Sequence, residues 1–194
     1  MKQTLKKLAA AAILAGSSLV FTSCGNDPVT NINAASVNPR KLAGESRSAL
    51  NDLCRHNAAA RNMRGRAKGI LVFPNITKGG LMVGGMAGNG ALIRNDGSIR
   101  DFYQTAGASY GLQAGIQQYG YALFLMDDAA FANLNRAGGW EIGSSPSLVI
   151  VDQGMASSLT TTTLNKSTYA FFFNQRGLMG GLGLQGAKIT RIRP

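Results

Sequence analysis

Two glycine-rich segments about 100 residues apart constrain the fold of this chain more than any other feature. Residues 79–93 read GGLMVGGMAGNGALI, and residues 177–189 read GLMGGLGLQGAKI, so that most glycines align when one residue of slip is allowed. Two copies are too few for a solenoid, which stacks three or more units at a short period. Glycine inside a strand often marks a bend or the close approach of another backbone. The repeat therefore predicts two matching strands that close one curved sheet.

The segment before the first glycine-rich stretch has a helical pattern. Residues 39–66 carry apolar side chains at spacings of three, four and seven, which predicts an amphipathic helix with a break near His56 and Asn57. Residues 129–136 form a second predicted helix, because Asp127 and Asp128 can cap its start and two glycines follow it.

The remaining segments read as strands. Residues 105–116 alternate between small or polar and mostly apolar side chains. Gly107, Gly111 and Gly115 also fit a helical glycine zipper, but each would cost a helix about 1 kcal/mol relative to alanine, so a strand is favoured. Pro74 should end an early strand, and Gln117 and Gln118 should form a turn. The predicted strands are 70–73, 79–93, 99–103, 105–116, 121–126, 148–151, 156–163, 168–173 and 178–192.

These elements predict an α+β fold. N-terminal basic helices precede a curved, glycine-rich, mainly antiparallel sheet, which we expect to be a partly closed barrel with one inserted helix. The expected organisation is a signal peptide at 1–23, a lipidated tether at 24–39 and a single domain at 40–194.

Positive charge is concentrated in one part of the chain, whose 194 residues carry a formal net charge of +11. Residues 40–78 hold nine lysines and arginines against two acids, a net of +7. Residues 79–194 hold eight basic and six acidic side chains, a net of +2. A basic patch of this kind attracts phospholipid head groups, nucleic acid or an acidic partner.

The N-terminus indicates export. A short basic region, residues 1–7, precedes a 14-residue run of apolar and small residues at 8–21. A spanning helix needs about 20 apolar residues, so this run is typical of a signal peptide. The following sequence, Phe21-Thr22-Ser23-Cys24, resembles the lipobox of bacterial lipoproteins, although leucine is usual where Phe21 stands. The resemblance implies that Cys24 is lipidated (palmitate among its acyl chains) and, with Gly25 after it, that the protein reaches the outer membrane. The alternative is an ordinary cleaved signal with a chance cysteine.

The sequence gives little support for catalysis. The one histidine, His56, has no acidic side chain near it in sequence other than Asp52, and no His/Cys cluster suits a metal ion. Residues 181–186 match G-x-G-x-x-G, but only eight residues follow, too few for a dinucleotide-binding unit. We expect no enzyme activity and no cofactor. Cys54 lacks an evident disulfide partner and reads as a small buried hydrophobe.

Several motifs together resemble the SYLF domain family. They are AKGILVFP at 67–74, KGG at 78–80, VGG at 83–85, GLQAG at 111–115 and GLMGGLGLQGA at 177–187. The resemblance covers residues 40–192 and implies phospholipid binding, which in the family is linked to a basic amphipathic N-terminal helix; some eukaryotic members associate with actin. The positions matching that helix are Arg55, Arg61, Arg64, Arg66 and Lys68. The sequence departs from the family at Ser144-Ser145-Pro146, where an acidic segment is common.

Two functions are therefore weighed. The first is a lipid-anchored, non-enzymatic domain that binds anionic phospholipid at the periplasmic face of the outer membrane. The second is a structural or interaction protein whose glycine-rich sheet pairs with itself or with an envelope protein, the basic helix being only a solvated face. Nucleic acid is not an expected partner, because an exported protein does not meet it.

Overall fold

The computed structural model describes residues 37–134, 139–142, 148–151, 167–177 and 187–194. The predicted signal peptide, the lipidation site Cys24 and the predicted strand 156–163 lie outside these residues. So does most of the second glycine-rich segment, at 178–186.

Two helices open the described chain, α1 (Pro39–His56) and α2 (Ala58–Arg64). The side chain of Asn38 accepts hydrogen bonds from the backbone N–H groups of Arg40 and Lys41, 3.0 and 3.1 Å away, and so caps α1. Asn57 ends α1 and caps α2, since its side chain accepts from the N–H of Ala60. The predicted break near His56 and Asn57 is confirmed.

A hairpin of two very long strands, β1 (Gly69–Arg94) and β2 (Ile99–Leu125), forms the centre of the fold. The prediction that Pro74 ends a strand is wrong. The register shifts between Phe73 and Ile76 instead, and a bulge is one of the few places where a sheet accepts proline. The predicted turn at Gln117 and Gln118 is also wrong, because both residues stay paired with β1. The predicted strand over 105–116 is confirmed.

The remaining elements extend this hairpin. They are α3 (Asp128–Leu134), β3 (Trp140–Ile142), β4 (Leu148–Val151), β5 (Thr168–Gly177) and β6 (Ala187–Ile192). One half of β2 pairs with β5 and the other half with β6, giving a six-stranded sheet in the order β3-β6-β2-β5-β4 with β1 beside β2. Every pairing is antiparallel except that of β4 with β5.

The predicted α+β class, with basic helices before a mainly antiparallel sheet, is confirmed. The sheet is not closed. Within the described ranges β1 pairs only with β2. The prediction that the two glycine-rich segments close one sheet falls mostly on residues 178–186, outside those ranges.

The hairpin bends back on itself. Its register shifts between Leu81 and Val83, and the two halves of β1 then lie close together. A methyl group on Gly88 would lie 2.6 Å from the carbonyl oxygen of Asn75, and one on Gly90 would overlap that of Val72. Glycine is required here because the two backbones approach too closely for a Cβ atom.

Strand alternation sorts the apolar side chains into two cores. Leu71, Phe73, Tyr121 and Phe172 point between the halves of the bent hairpin, where they meet residues such as Leu92. The alternate positions, which include Val72, Phe124 and Phe171, form the other face of the sheet. The helices cover that face with Leu50, Leu53, Ala60 and Met63. This second core fixes the helices on the sheet and thereby fixes which of their side chains face solvent.

Candidate functional site

All five predicted lipid-binding residues are exposed and lie in one stretch of the described chain. Arg55 is in the last turn of α1, and Arg61 and Arg64 are in α2. Arg66 and Lys68 follow in the short connection from α2 to β1. The structure therefore brings the five onto neighbouring elements, as the charge pattern led us to expect.

The orientation of α2 follows from its short apolar face. Ala59, Ala60 and Met63 are buried against the sheet, so Arg61 and Arg64, three residues apart, project from the exposed side. Seven residues are too few to form a stable helix alone, and α2 depends on this packing and on the Asn57 cap.

Two hydrogen bonds hold these arginines against α1. Arg61 donates from Nη1 to the carbonyl oxygen of Cys54 at 3.4 Å, and this carbonyl is in the last turn of α1, where no helical N–H can reach it. Arg64 donates from Nη1 to Oδ1 of Asn51 at 2.8 Å. Neither contact neutralises the guanidinium, so both charges remain available to an anion.

The structure divides the five cations into two groups. Arg55 forms an ion pair with Asp52, and Lys68 forms one with Asp128 at 2.6 Å. Arg61, Arg64 and Arg66 have no ion pair with any residue that the structure describes. These three carry net positive charge, whereas each of the other two sits beside a carboxylate.

Two further arginines lie on the same side of α1. Arg40, Arg47 and Arg55 follow one another at spacings of seven and eight, so they share one exposed stripe with Asn51, the residue that Arg64 contacts. Arg47 also donates from Nε to the carbonyl oxygen of Gly97 at 3.0 Å. Arg40 and Arg47 were not among the predicted lipid-binding residues, although their helical spacing could have revealed them from the sequence.

Cys54 lies beneath this surface and is buried among apolar side chains. It is buried, as expected, and forms no disulfide. Burial raises the pKa of the Cys54 thiol, although the nearby Arg64 and Arg61 act in the opposite direction. A thiol that stays protonated packs like a small apolar side chain.

His56 faces a groove of about 690 Å³ between the α1–α2 junction and β5. Its Nδ1 lies 2.9 Å from the backbone carbonyl oxygen of Asp52, whose carboxylate is occupied by Arg55. The described residues contain no group of three His, Cys, Asp or Glu side chains placed to hold a metal ion. None of the described helices is long and apolar enough to span a membrane.

Part of the sheet resembles a known protein family. Residues 106–193 match the model of the Ysc84 family, described as a Las17-binding protein actin regulator. No curated protein matches the chain. The matched segment begins within β2 and includes α3 and β3 to β6, so it lies entirely on the sheet side of the fold. This match agrees with the motif resemblance to the SYLF domain family at residues 111–115 and 177–187.

Proposed function

We propose that this protein is a non-enzymatic lipoprotein that binds anionic phospholipid at the periplasmic face of the outer membrane. The observation that carries the proposal is the cluster of Arg61, Arg64 and Arg66, three exposed guanidinium groups without a described acidic partner. The SYLF domain supports lipid binding, because this family is associated with it.

The electrostatic attraction of the three arginines is large enough to contribute measurably to membrane affinity. Each Lys or Arg close to an anionic membrane contributes about 1 kcal/mol, so three arginines supply about 3 kcal/mol before salt screening. Arg55 and Lys68 should contribute less, because each lies beside a carboxylate, Asp52 or Asp128, that repels anionic head groups. We therefore place Arg61, Arg64 and Arg66 at the centre of the site and Arg55 and Lys68 at its margin.

The proposed location follows from the N-terminal sequence. The lipobox-like Phe21-Thr22-Ser23-Cys24 supports lipidation of Cys24, and several acyl chains on one residue give stable anchoring. The anchor would hold the domain at the membrane surface, where the arginines need only a weak intrinsic affinity to stay bound.

Vesicle sedimentation of the mature protein with Cys24→Ser tests the proposal without the anchor. We expect binding to vesicles containing phosphatidylglycerol, no binding to phosphatidylcholine vesicles, and weaker binding as salt is raised. Neutralising Arg61, Arg64 and Arg66 together to Gln should lower the affinity about 100-fold, the equivalent of ~3 kcal/mol.

The matched control neutralises Arg55 and Lys68 together to Gln. Each change removes a cation that has an acidic partner, so we expect a loss of about tenfold or less. An equal loss in the two variants would mean that net charge, and not this cluster, governs binding. No binding of the unsubstituted protein to either vesicle would reject the proposed function.

The description of the matched family supports one alternative, a protein partner. Ysc84 is named for a role as an actin regulator that binds another protein, so this chain could bind an envelope protein or a second copy of itself through its sheet. Size-exclusion chromatography and cross-linking distinguish the two functions. A stable complex without vesicle affinity would favour the alternative.

A further inference from the structure

We infer that the groove between the α1–α2 junction and β5 is a second binding site, which takes an uncharged sugar. The groove is lined in part by His56, the sole histidine of the chain. Arg61, Arg64 and Arg66 are not among its lining residues, so this site is independent of the proposed function.

The groove combines an apolar floor with a polar rim. Its volume of about 690 Å³ lies within the range of about 300–1,000 Å³ that is typical of small-ligand sites. Three apolar lining residues are buried and form the floor: Leu53, Phe172 and Phe173. The polar lining residues are more exposed and form the rim: Asp52, His56, Asn57 and Asn174.

Two residues of the α1–α2 junction offer hydrogen-bonding atoms that have no partner among the described residues. Nδ1 of His56 faces the carbonyl oxygen of Asp52, which can only accept, so Nδ1 carries the hydrogen and Nε2 of the neutral imidazole is an acceptor. Oδ1 of Asn57 accepts from the N–H of Ala60, which leaves both donors of the Asn57 amide nitrogen for a ligand. This side of the rim therefore presents a donor beside an acceptor.

The charges at the rim cancel. The carboxylate of Asp52 forms an ion pair with Arg55 through Oδ1, and Oδ2 remains as a further acceptor. An anionic ligand would be repelled by this carboxylate, and a cationic ligand would have to compete with Arg55 for it. An uncharged ligand meets neither cost, so the rim favours a neutral, polar molecule.

Asn174, on the opposite side of the groove, has an unusual backbone. Its φ is 53°, and it is the one non-glycine residue with a positive φ in the part of the chain that the structure describes. The register shifts here, so that Asn174 and Gln175 together face Tyr119 of β2. Such bulges are frequent beside functional sites, where they redirect a side chain. Glycine would adopt this φ with less strain, so the backbone alone does not explain the amide that Asn174 places at the rim.

A sugar matches both parts of the groove. Each hydroxyl group donates and accepts, and can therefore pair with a rim on which donors and acceptors alternate. The C–H groups on one face of a sugar ring are apolar and suit a floor that contains Phe172 and Phe173. The shared chemistry of a free sugar and of a glycan chain is thus what the groove recognises.

The sole histidine gives a direct measurement of binding. NMR signals of the imidazole in the mature Cys24→Ser protein report on His56 alone, and can be followed during titration with N-acetylglucosamine and with its trimer, chitotriose. We expect both sugars to shift these signals, with a dissociation constant on the order of 1 mM for the monosaccharide, because a small ligand gains little free energy per atom. Tighter binding of the trimer would assign the groove to a glycan chain, and equal binding to a single sugar. No shift with either sugar, at concentrations well above that value, would overturn the inference.

The variant Asn174→Gly separates a role in binding from a role in folding. Glycine tolerates the positive φ, so the variant should keep the fold but bind chitotriose about fivefold more weakly, since one hydrogen bond to the ligand is lost. Gln175→Ala is the matched control, because Gln175 is the other exposed residue of the bulge and is not a lining residue of the groove. It should change the affinity less than about twofold. Equal losses in the two variants would contradict the site.

A neutral peptide tests whether hydroxyl groups are required. N-acetyl-trialanine amide carries amide donors and acceptors but no hydroxyl, and should leave the His56 signals unchanged. A shift as large as that with chitotriose would overturn the assignment to sugars. Vesicle sedimentation does not bear on this site, so a failure of the proposed function and a failure of this inference are seen in different experiments.

Discussion

Gly90 shows how single residues decide the shape of this molecule. The bent hairpin brings the two halves of β1 together, and the backbone of Gly90 packs against the carbonyl of Val72 and the ring of Phe73. Any side chain at this position would have to displace backbone, which costs more than moving the end of a flexible side chain.

We predict that Gly90→Ala lowers the free energy of unfolding by about 2–3 kcal/mol, because the added methyl group forces the two strand halves apart. The control is Gly44→Ala in α1, where a methyl group meets nothing within 4 Å. That change should stabilise the protein by about 0.5–1 kcal/mol through helix propensity. Urea denaturation of both variants measures the two effects, and equal changes would contradict the close approach.

The buried Tyr119 leads to a second prediction, on how the stability of the protein changes at alkaline pH. Burial raises the pKa of Tyr119 from its ordinary value of 10.0 to about 12. The folded protein holds this proton more tightly than the unfolded chain, so the stabilisation is complete below pH 10 and is lost as the pH rises towards 12.

The variant Tyr119→Phe removes the titrating group. It loses only the contact of the hydroxyl with Sδ of Met86, at 3.5 Å, and should match the unsubstituted protein within about 1 kcal/mol near pH 7. Between about pH 10 and about pH 12 its stability should fall less steeply than that of the unsubstituted protein. Parallel curves for the two proteins in urea denaturation would show that Tyr119 ionises normally.

Asn57 links the two helices and gives a prediction at the scale of the element. Its backbone ends α1, and its side chain accepts the hydrogen bond that starts α2. Asn57→Ala should cost about 1 kcal/mol of stability, whereas Asn57→Ser keeps a capping oxygen and should cost little.

Under the proposed function, the Ala variant should also bind vesicles more weakly at unchanged net charge, because α2 frays and no longer fixes Arg61 and Arg64. Thermal denaturation and vesicle sedimentation measure the two effects, and vesicle affinity that follows charge alone would contradict this role.

The helices were predictable because their signals are local. The apolar spacing of residues such as Leu50 and Leu53 and the break at Asn57 depend on neighbours within a few residues. The strands of the hairpin were less predictable. Pro74 normally ends a strand, and nothing within its neighbourhood shows that a bulge accommodates it while β1 continues to Arg94.

In the candidate site, too, local contacts were predictable from the sequence and long-range contacts were not. The pairing of Arg55 with Asp52 is an i, i+3 contact on a helix and could have been read from the sequence. The pairing of Lys68 with Asp128 joins residues 60 positions apart, and only the fold shows it. Composition could therefore locate the basic segment, whereas the distinction between paired and unpaired cations required the tertiary structure.

At the scale of the whole molecule, the cations of the proposed interface and the segment that matches the family lie in different parts of the chain. The family match covers residues 106–193, on the sheet, whereas the cations of the proposed interface lie before residue 70. The sheet supplies a rigid, apolar platform through Val72, Phe124 and Phe171, and the helices on its surface display the charge. The family match thus covers part of the platform, and the electrostatic function is argued from the helices, which lie outside the match.

This separation leads to a prediction for the intact protein in cells. We expect two attachments of different physical kind. One is an acyl anchor on Cys24 that depends on hydrophobic burial, and the other is the cluster of Arg61, Arg64 and Arg66, which depends on charge. Salt screens the second and not the first, since the Debye length falls from about 10 Å at 0.1 M to about 3 Å at 1 M. Membranes from cells that express the unsubstituted protein should therefore retain it after a wash in about 1 M salt. The Cys24→Ser protein should be released by that wash but retained at low salt, and neutralising Arg61, Arg64 and Arg66 as well should release it at both. Retention of the Cys24→Ser protein at high salt would show that something other than these two attachments holds it at the membrane.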